Sequence, residues 1–171
     1  MDIIIDSGET TVGVESTVVD IMELPLKILR LGGTTVESIQ KITSKIIIAN
    51  ENEGLKKSPG MLKKHYAPKA RLILAEGKSE IMVKNILTAA SEYKKEGNKV
   101  GIIASRENAD KFSDFLVMII GNAKDLETCA HNLYAQLRLL DEQRCDIIIA
   151  ENFEDKGMGR AIMDRLRRAS N

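Results

Sequence analysis

Two short runs carry groups suited to binding small charged molecules. Ser16 follows Gly13-Val14-Glu15 and opens the β-branched run Thr17-Val18-Val19. Its hydroxyl can donate to a carboxylate or accept from an ammonium, and a strand serine can also bond to nearby backbone. Arg30 ends the alternating run Leu26-Lys27-Ile28-Leu29-Arg30 and faces a Gly32-Gly33 turn. A planar guanidinium there suits a phosphate, while a surface ion pair is the commoner use of an exposed arginine. A third run, Ser58-Pro59-Gly60-Met61-Leu62-Lys63-Lys64-His65-Tyr66-Ala67-Pro68, has neither helical nor strand period. Pro59 and Pro68 hold it extended or in turns. Its lysines attract anions, and Met61, His65 and Tyr66 offer groups that pack or stack on a partner. It reads as a tether between domains or as a lid, with Tyr66 able to cover a ligand or to clasp either domain. His65 titrates in the range useful for proton transfer, with a structural role in the linker the simpler reading.

Other polar clusters are weaker. Gly157-Met158-Gly159-Arg160 opens a helix after an apolar run, where backbone amides attract anions, but two glycines also make a flexible helix entry. Arg165, Arg167 and Arg168 form a basic helix end that complements the helix dipole or touches RNA. No serine has a His/Asp partner pattern, so no covalent nucleophile is evident. His65 and the two cysteines, Cys129 and Cys145, lack metal-ligand spacing and read as a linker histidine and buried thiols.

These residues need a scaffold. The chain has 171 residues, 43% hydrophobic and 29% charged, with a formal net charge of zero. That is the composition of a globular protein, and neutrality argues against charge-driven nonspecific nucleic-acid binding. Aromatic residues are 4% with no tryptophan, which predicts an aliphatic core and no stacking platform for single strands. No apolar run reaches membrane-spanning length and Met1-Asp2-Ile3 begins no signal peptide, so a cytoplasmic location without membrane attachment is expected.

In order, Ile3-Ile4-Ile5, Glu15 to Ile21, Leu26 to Arg30 and Ile46 to Ile48 read as strands, with a short helix capped by Thr35 and running through Ile42. This front part has few helical faces to cover its strands, so it is expected to be the tail of a larger α+β domain, with edges that invite dimerisation. After the linker, strands at Leu72 to Leu74, Lys99 to Ala104, Phe115 to Ile120 and Asp146 to Ala150 alternate with helices. One helix ends at Gly97-Asn98 and places Ile81, Ile86, Leu87 and Ala90 inward. A second starts at Asp125 with the stripe Leu126, Cys129, Ala130, Leu133, Leu137 and Leu140. The last starts near Gly157 and buries Ile162, Met163 and Leu166. Continuous apolar strands alternating with helices predict an α/β fold with a Rossmann-like parallel sheet. The boundaries expected are residues 1–54, a linker at 55–70 and a second domain at 71–171.

Three blocks resemble the Sua5 branch of the Sua5/YciO/YrdC family, the L-threonylcarbamoyladenylate synthases. They are Gly13-Val14-Glu15-Ser16-Thr17-Val18-Val19-Asp20 with Ile28-Leu29-Arg30-Leu31-Gly32-Gly33; Ser58-Pro59-Gly60-Met61 with His65-Tyr66-Ala67-Pro68; and Leu133 to Asp141 with Gly157 to Leu166. The family usually has Asp-Gly-Gly where this chain has Asp6-Ser7-Gly8, and Arg-Pro-Gly where it has Arg30-Leu31-Gly32. The family's upstream lysine/arginine and Ser-x-Asn motifs are not found in this sequence.

The resemblance implies a YrdC-like α+β front segment, a linker and a C-terminal Sua5 α/β domain. It also implies synthesis of threonylcarbamoyl-AMP from L-threonine, bicarbonate and ATP, with magnesium on the ATP phosphates, for tRNA threonylcarbamoyladenosine formation by partner enzymes. By the same resemblance Ser16 contacts threonine, while Arg30 and Tyr66 contact ATP. This chain alone is then expected to be inactive. The alternative is a noncatalytic module, regulatory or contacting protein or RNA, descended from that family.

Overall fold

Four runs rich in isoleucine, leucine and valine become one all-parallel sheet. In the computed structural model, which describes residues 3, 5–6, 8–50, 53–54, 58 and 67–170, they are β4 (Arg71–Ala75), β5 (Val100–Ser105), β6 (Leu116–Gly121) and β7 (Ile147–Glu151), in the order β4-β7-β5-β6. β5 and β7 lie at the centre and are buried along their whole length. Such strands show no polar alternation because both faces are covered.

The period of two decides which residue meets which helix. Ile103, Ile148 and Ala150 face α3 (Leu126–Glu142) and α4 (Gly159–Ser170), packing with Leu133, Leu137, Ile162 and Leu166. Ile102, Ala104, Ile147 and Ile149 face the other way, onto Met82, Val83, Ile86 and Ala90 of α2 (Ser79–Lys95) and Phe112 of a 3-10 turn at Ala109–Phe112. Burying one such aliphatic side chain stabilises by about 1.5–3 kcal/mol. Local chemistry sets the helix ends. Asp125 caps α3 by accepting from the Thr128 amide at 3.1 Å and its hydroxyl at 2.7 Å. Gly97, at φ 89°, ends α2, with Gly97 N donating to Lys94 O and Asn98 N to Tyr93 O.

The front of the chain makes a second sheet. β2 (Leu26–Arg30) is central, antiparallel to β1 (Val18–Asp20) and parallel to β3 (Ile46–Ile48), with α1 (Val36–Gln40) beside it. Ile28, Val36 and Ile46 form its small core. Leu31 packs against both that core and the large one, and Val14 against the large one, which docks the front part on α3 and α4.

Several expectations need correction. Ile3 and Ile5 lie in no strand and are 80% and 91% exposed, because no partner strand pairs with them among the described residues. The strand expected from Glu15 begins at Val18; Glu15 and Ser16 belong to the loop that enters it. α1 stops at Gln40, leaving Ile42 outside and exposed. In α2, Ile86 and Ala90 are buried and Leu87 is partly buried as expected, but Met82 and Val83 complete the inward face and Ile81 lies outside it. α4 begins at Gly159 rather than Gly157.

Candidate functional site

Ser16 and Arg30 come together. Arg30 Nε donates to the Ser16 carbonyl at 3.0 Å, and the Val18↔Arg30 pairing sets the two segments side by side. The next turn clasps the same loop: Gly33 N donates to Glu15 O at 3.0 Å, while Thr17 Oγ1 donates to Thr34 O at 2.6 Å and accepts from Thr34 N at 3.1 Å. Gly32 is needed for this approach, since a Cβ there would lie 2.2 Å from Glu15 O. The Ser16 backbone is therefore held from two sides. Ser16 is exposed at the loop surface, with the half-buried Arg30 beneath its carbonyl.

Glu15, the neighbour of Ser16, anchors this loop to the second half of the chain. Its carboxylate accepts from Arg165 Nε at 2.9 Å and Nη2 at 2.8 Å and from the Tyr134 hydroxyl at 3.2 Å. Arg165 also donates to Leu31 O at 2.9 Å, one residue past Arg30, and pairs with Asp164. Burial alone would raise the Glu15 carboxyl; the Arg165 charge and the hydrogen bonds outweigh it and hold the group below the usual carboxylate range. Burial pushes the Tyr134 phenol up to about 12, so it stays a donor. Gly13, at φ 74°, lets the loop lie on α3, where a Cβ would meet His131 Cα at 2.3 Å.

This network was legible only in hint. Arg165 sits within the buried face of α4 beside Ile162 and Leu166, and a charge in such a face requires a partner. Nothing in the spacing says that the partner is Glu15.

Gly157 N donates to Glu37 Oε1 of α1 at 3.3 Å, and Arg160 Nη1 pairs with the same oxygen at 3.1 Å. The approach to α4 thus takes an internal carboxylate where an external anion was considered. Arg167 pairs with Glu76 and Asp155, and Arg168 with Asp164. These charges are matched within the chain, so the helix end is no bare cationic patch. Cys129 and Cys145 are free and buried; burial lifts the Cys129 thiol to about 11. Among the described residues no group of three or more His, Cys, Asp or Glu side chains could hold a metal ion, and no helix is long and apolar enough to cross a membrane. Tyr66, His65 and most of the expected lid lie outside the described residues. The end of that run is pinned to α3, where Asp141 accepts from the amides of Lys69 and Ala70 at 2.9 and 3.1 Å.

Comparison with known proteins converges on one family. The family model described as threonylcarbamoyl-AMP synthase, C-terminal domain, matches residues 34–171. A threonylcarbamoyl-AMP synthase of Pyrococcus abyssi is 40% identical over 175 residues, covering 99% of this chain and 49% of that protein. The Bacillus subtilis protein of the same name is also 40% identical, covering 98% and 48%. The crystal structure of P. abyssi Sua5 complexed with L-threonine superposes with a TM-score of 0.82 at 38% identity, over 96% of this chain and 48% of that one. The chain thus spans about half the length of the relatives it matches. It belongs to the threonylcarbamoyl-AMP synthase C-terminal domain family.

Proposed function

We propose that this chain is the C-terminal half of a synthase that joins L-threonine, bicarbonate and ATP into threonylcarbamoyl-AMP and pyrophosphate, for threonylcarbamoyladenosine formation in tRNA. The observation that carries the reading is the likeness, over nearly the whole chain, to a relative solved with L-threonine. In this reading residues 1–54 complete a catalytic domain whose remainder lies in the other half, residues 55–70 form a lid, and residues 71–171 form the second domain.

The chemistry assigns roles. Both the attacking carboxylate and the α-phosphate are anionic, so the site must neutralise charge and hold them in line. Arg30, its plane set by the Ser16 carbonyl, offers cationic N–H donors to ATP phosphate oxygens. Magnesium enters with those phosphates. The Ser16 hydroxyl serves threonine, donating to its carboxylate or accepting from its ammonium. Tyr66 of the lid covers the nucleotide and excludes water from a mixed anhydride that hydrolyses readily.

The test is threonine- and bicarbonate-dependent pyrophosphate release from ATP. The complete enzyme is expected to be active and the 171-residue chain alone nearly inactive, since in this reading most of the pocket belongs to the other half. Robust release by the chain alone contradicts the division of labour. In the complete enzyme, Ser16→Ala should raise the KM for threonine roughly tenfold, the loss of about one hydrogen bond to a charged group, with the KM for ATP little changed. An unchanged threonine KM removes Ser16 from the site.

A further inference from the structure

The carboxyl end of the parallel sheet holds a cavity remote in sequence from Ser16 and Arg30. β5 and β7 are neighbours, yet the chain leaves them on opposite faces. After β5 it passes through the 3-10 turn on the α2 face towards β6; after β7 it enters α4, which packs on the other face against β4. Diverging connections open a crevice between adjacent strand ends, and open α/β sheets bind ligands at that position. Here the crevice is a cavity of about 170 Å³ with Met82 and Phe153 in its walls.

Its polar groups are buried and incompletely matched. Glu151, 1% exposed, accepts from the Ser105 amide through Oε1 and from Asn108 Nδ2 through Oε2, the latter at 2.7 Å. The other end of the Asn108 amide is occupied, accepting from Lys111 Nζ at 2.7 Å. Asn152 Oδ1, by contrast, is buried with no donor. Ser105 Oγ, also in a residue 1% exposed, lies near the Glu107 and Glu151 carboxyls without a hydrogen bond of good geometry to either. A buried acceptor without a donor carries its full desolvation cost unless a ligand supplies one.

Side-chain charge disfavours the anionic ligand that such crevices commonly take, even though Ser79 at the start of α2 also lines the cavity. Among the described residues the charged side chains lining the cavity are both carboxylates, Glu151 and Glu154. Burial already drives the Glu151 carboxyl above its usual range despite its two donors, so this pocket disfavours added negative charge. The volume is also below the roughly 300 Å³ lower end of drug-sized pockets, so the occupant is small.

We propose that this crevice binds a small uncharged molecule that combines a flat apolar face with N–H donors, the chemistry of a purine or pyrimidine base or its nucleoside, and that it rejects the phosphorylated form. Met82 and Phe153, which both line the cavity, supply the apolar contact for the flat face, and Asn152 Oδ1 and the Glu151 carboxyl accept from the donor edge.

The test is amide NMR on the full 171-residue chain with adenosine, cytidine or uridine added at millimolar concentration, and with AMP as the anionic counterpart. At least one nucleoside is expected to shift the amides of Ser105, Asn152 and Phe153, and AMP to bind several-fold more weakly than adenosine. Asn152→Ala should weaken nucleoside binding about tenfold, the loss of one hydrogen bond, while leaving the β5 and β7 amide signals in place. Ser105→Ala provides a second, smaller truncation in the same crevice. The proposal is overturned if no nucleoside moves these amides, if shifts are confined to the Ser16–Arg30 region, if AMP binds as tightly as adenosine, or if both variants bind like the unaltered chain. The unaltered chain decides the matter even where a variant fails to fold.

Discussion

Arg165→Ala is expected to cost about 3 kcal/mol of stability and to loosen the front sheet from the rest of the molecule. The magnitude comes from breaking a buried ion pair by removing one partner, which costs roughly 3–5 kcal/mol because the other charge is left uncompensated. The low end applies here because the Glu15 side chain remains 22% exposed and keeps the Tyr134 hydroxyl, whereas the Arg165 side chain is 8% exposed. In a chain of this size the melting temperature should fall by about 6–12 °C. Hydrogen exchange gives the sharper readout. Protection in β1 and β2 should drop, while β5 and β7, which have their own core, stay protected. Replacing both partners with apolar residues should recover much of the loss, since an apolar pair leaves no buried charge alone.

The same link has a pH signature. Glu15 has its carboxyl held below the usual range in the folded state, so its contribution is fully present above the unfolded value of about 4.3 and disappears as pH falls through the lower folded value. Front-sheet protection should therefore decline selectively in acid, and Glu15→Gln should flatten that decline. Equal loss of protection in both sheets, or no change in Arg165→Ala, would show that the pair does not dock the front segment.

Arg30→Ala in the complete enzyme should lower kcat/KM for ATP by about 10- to 150-fold, the loss of one charge-assisted phosphate contact worth roughly 1.5–3 kcal/mol. Arg30→Lys keeps the charge but not the planar fork, so it should recover part of the loss. The local geometry adds a discriminating feature. Because Arg30 Nε also holds the Ser16 carbonyl, the alanine variant should disturb threonine use as well, by a smaller factor than ATP use. Steady-state pyrophosphate release with each substrate varied in turn separates the two effects. An unchanged ATP dependence would remove Arg30 from the nucleotide site; a loss confined to threonine would make it a positioning residue for Ser16.

These two arginines mark the difference between what is local in this chain and what is not. Arg30 could be singled out because its neighbours in sequence, an alternating strand and a Gly-Gly turn, are also its neighbours in space. Arg165, read with Arg167 and Arg168 as a basic helix end, is instead buried on Glu15, which lies 150 residues away and reaches it through the docking of the front loop on α4. Glu151 was hidden for a related reason. The apolar run Ile147-Ile148-Ile149-Ala150 reads as a strand that ends before it, yet β7 extends one residue further and carries its carboxyl beneath the end of β5.

The sequence by itself determined the class of fold and most element positions. Continuous apolar runs alternating with helices are most readily buried on both faces in a covered parallel sheet, and Asp125, Thr35 and Gly97 mark helix ends through bonds made within a few residues. The three blocks also carried the family. Tertiary structure alone decided the strand order β4-β7-β5-β6, the burial of Met82 rather than Ile81 at the edge of the α2 face, and the failure of Ile3 and Ile5 to find a strand. It likewise decided which carboxylate meets which arginine. The physical reason is range: periodicity, caps and turns record interactions with near neighbours, whereas strand order and buried charge pairing are settled by packing between segments far apart in the chain.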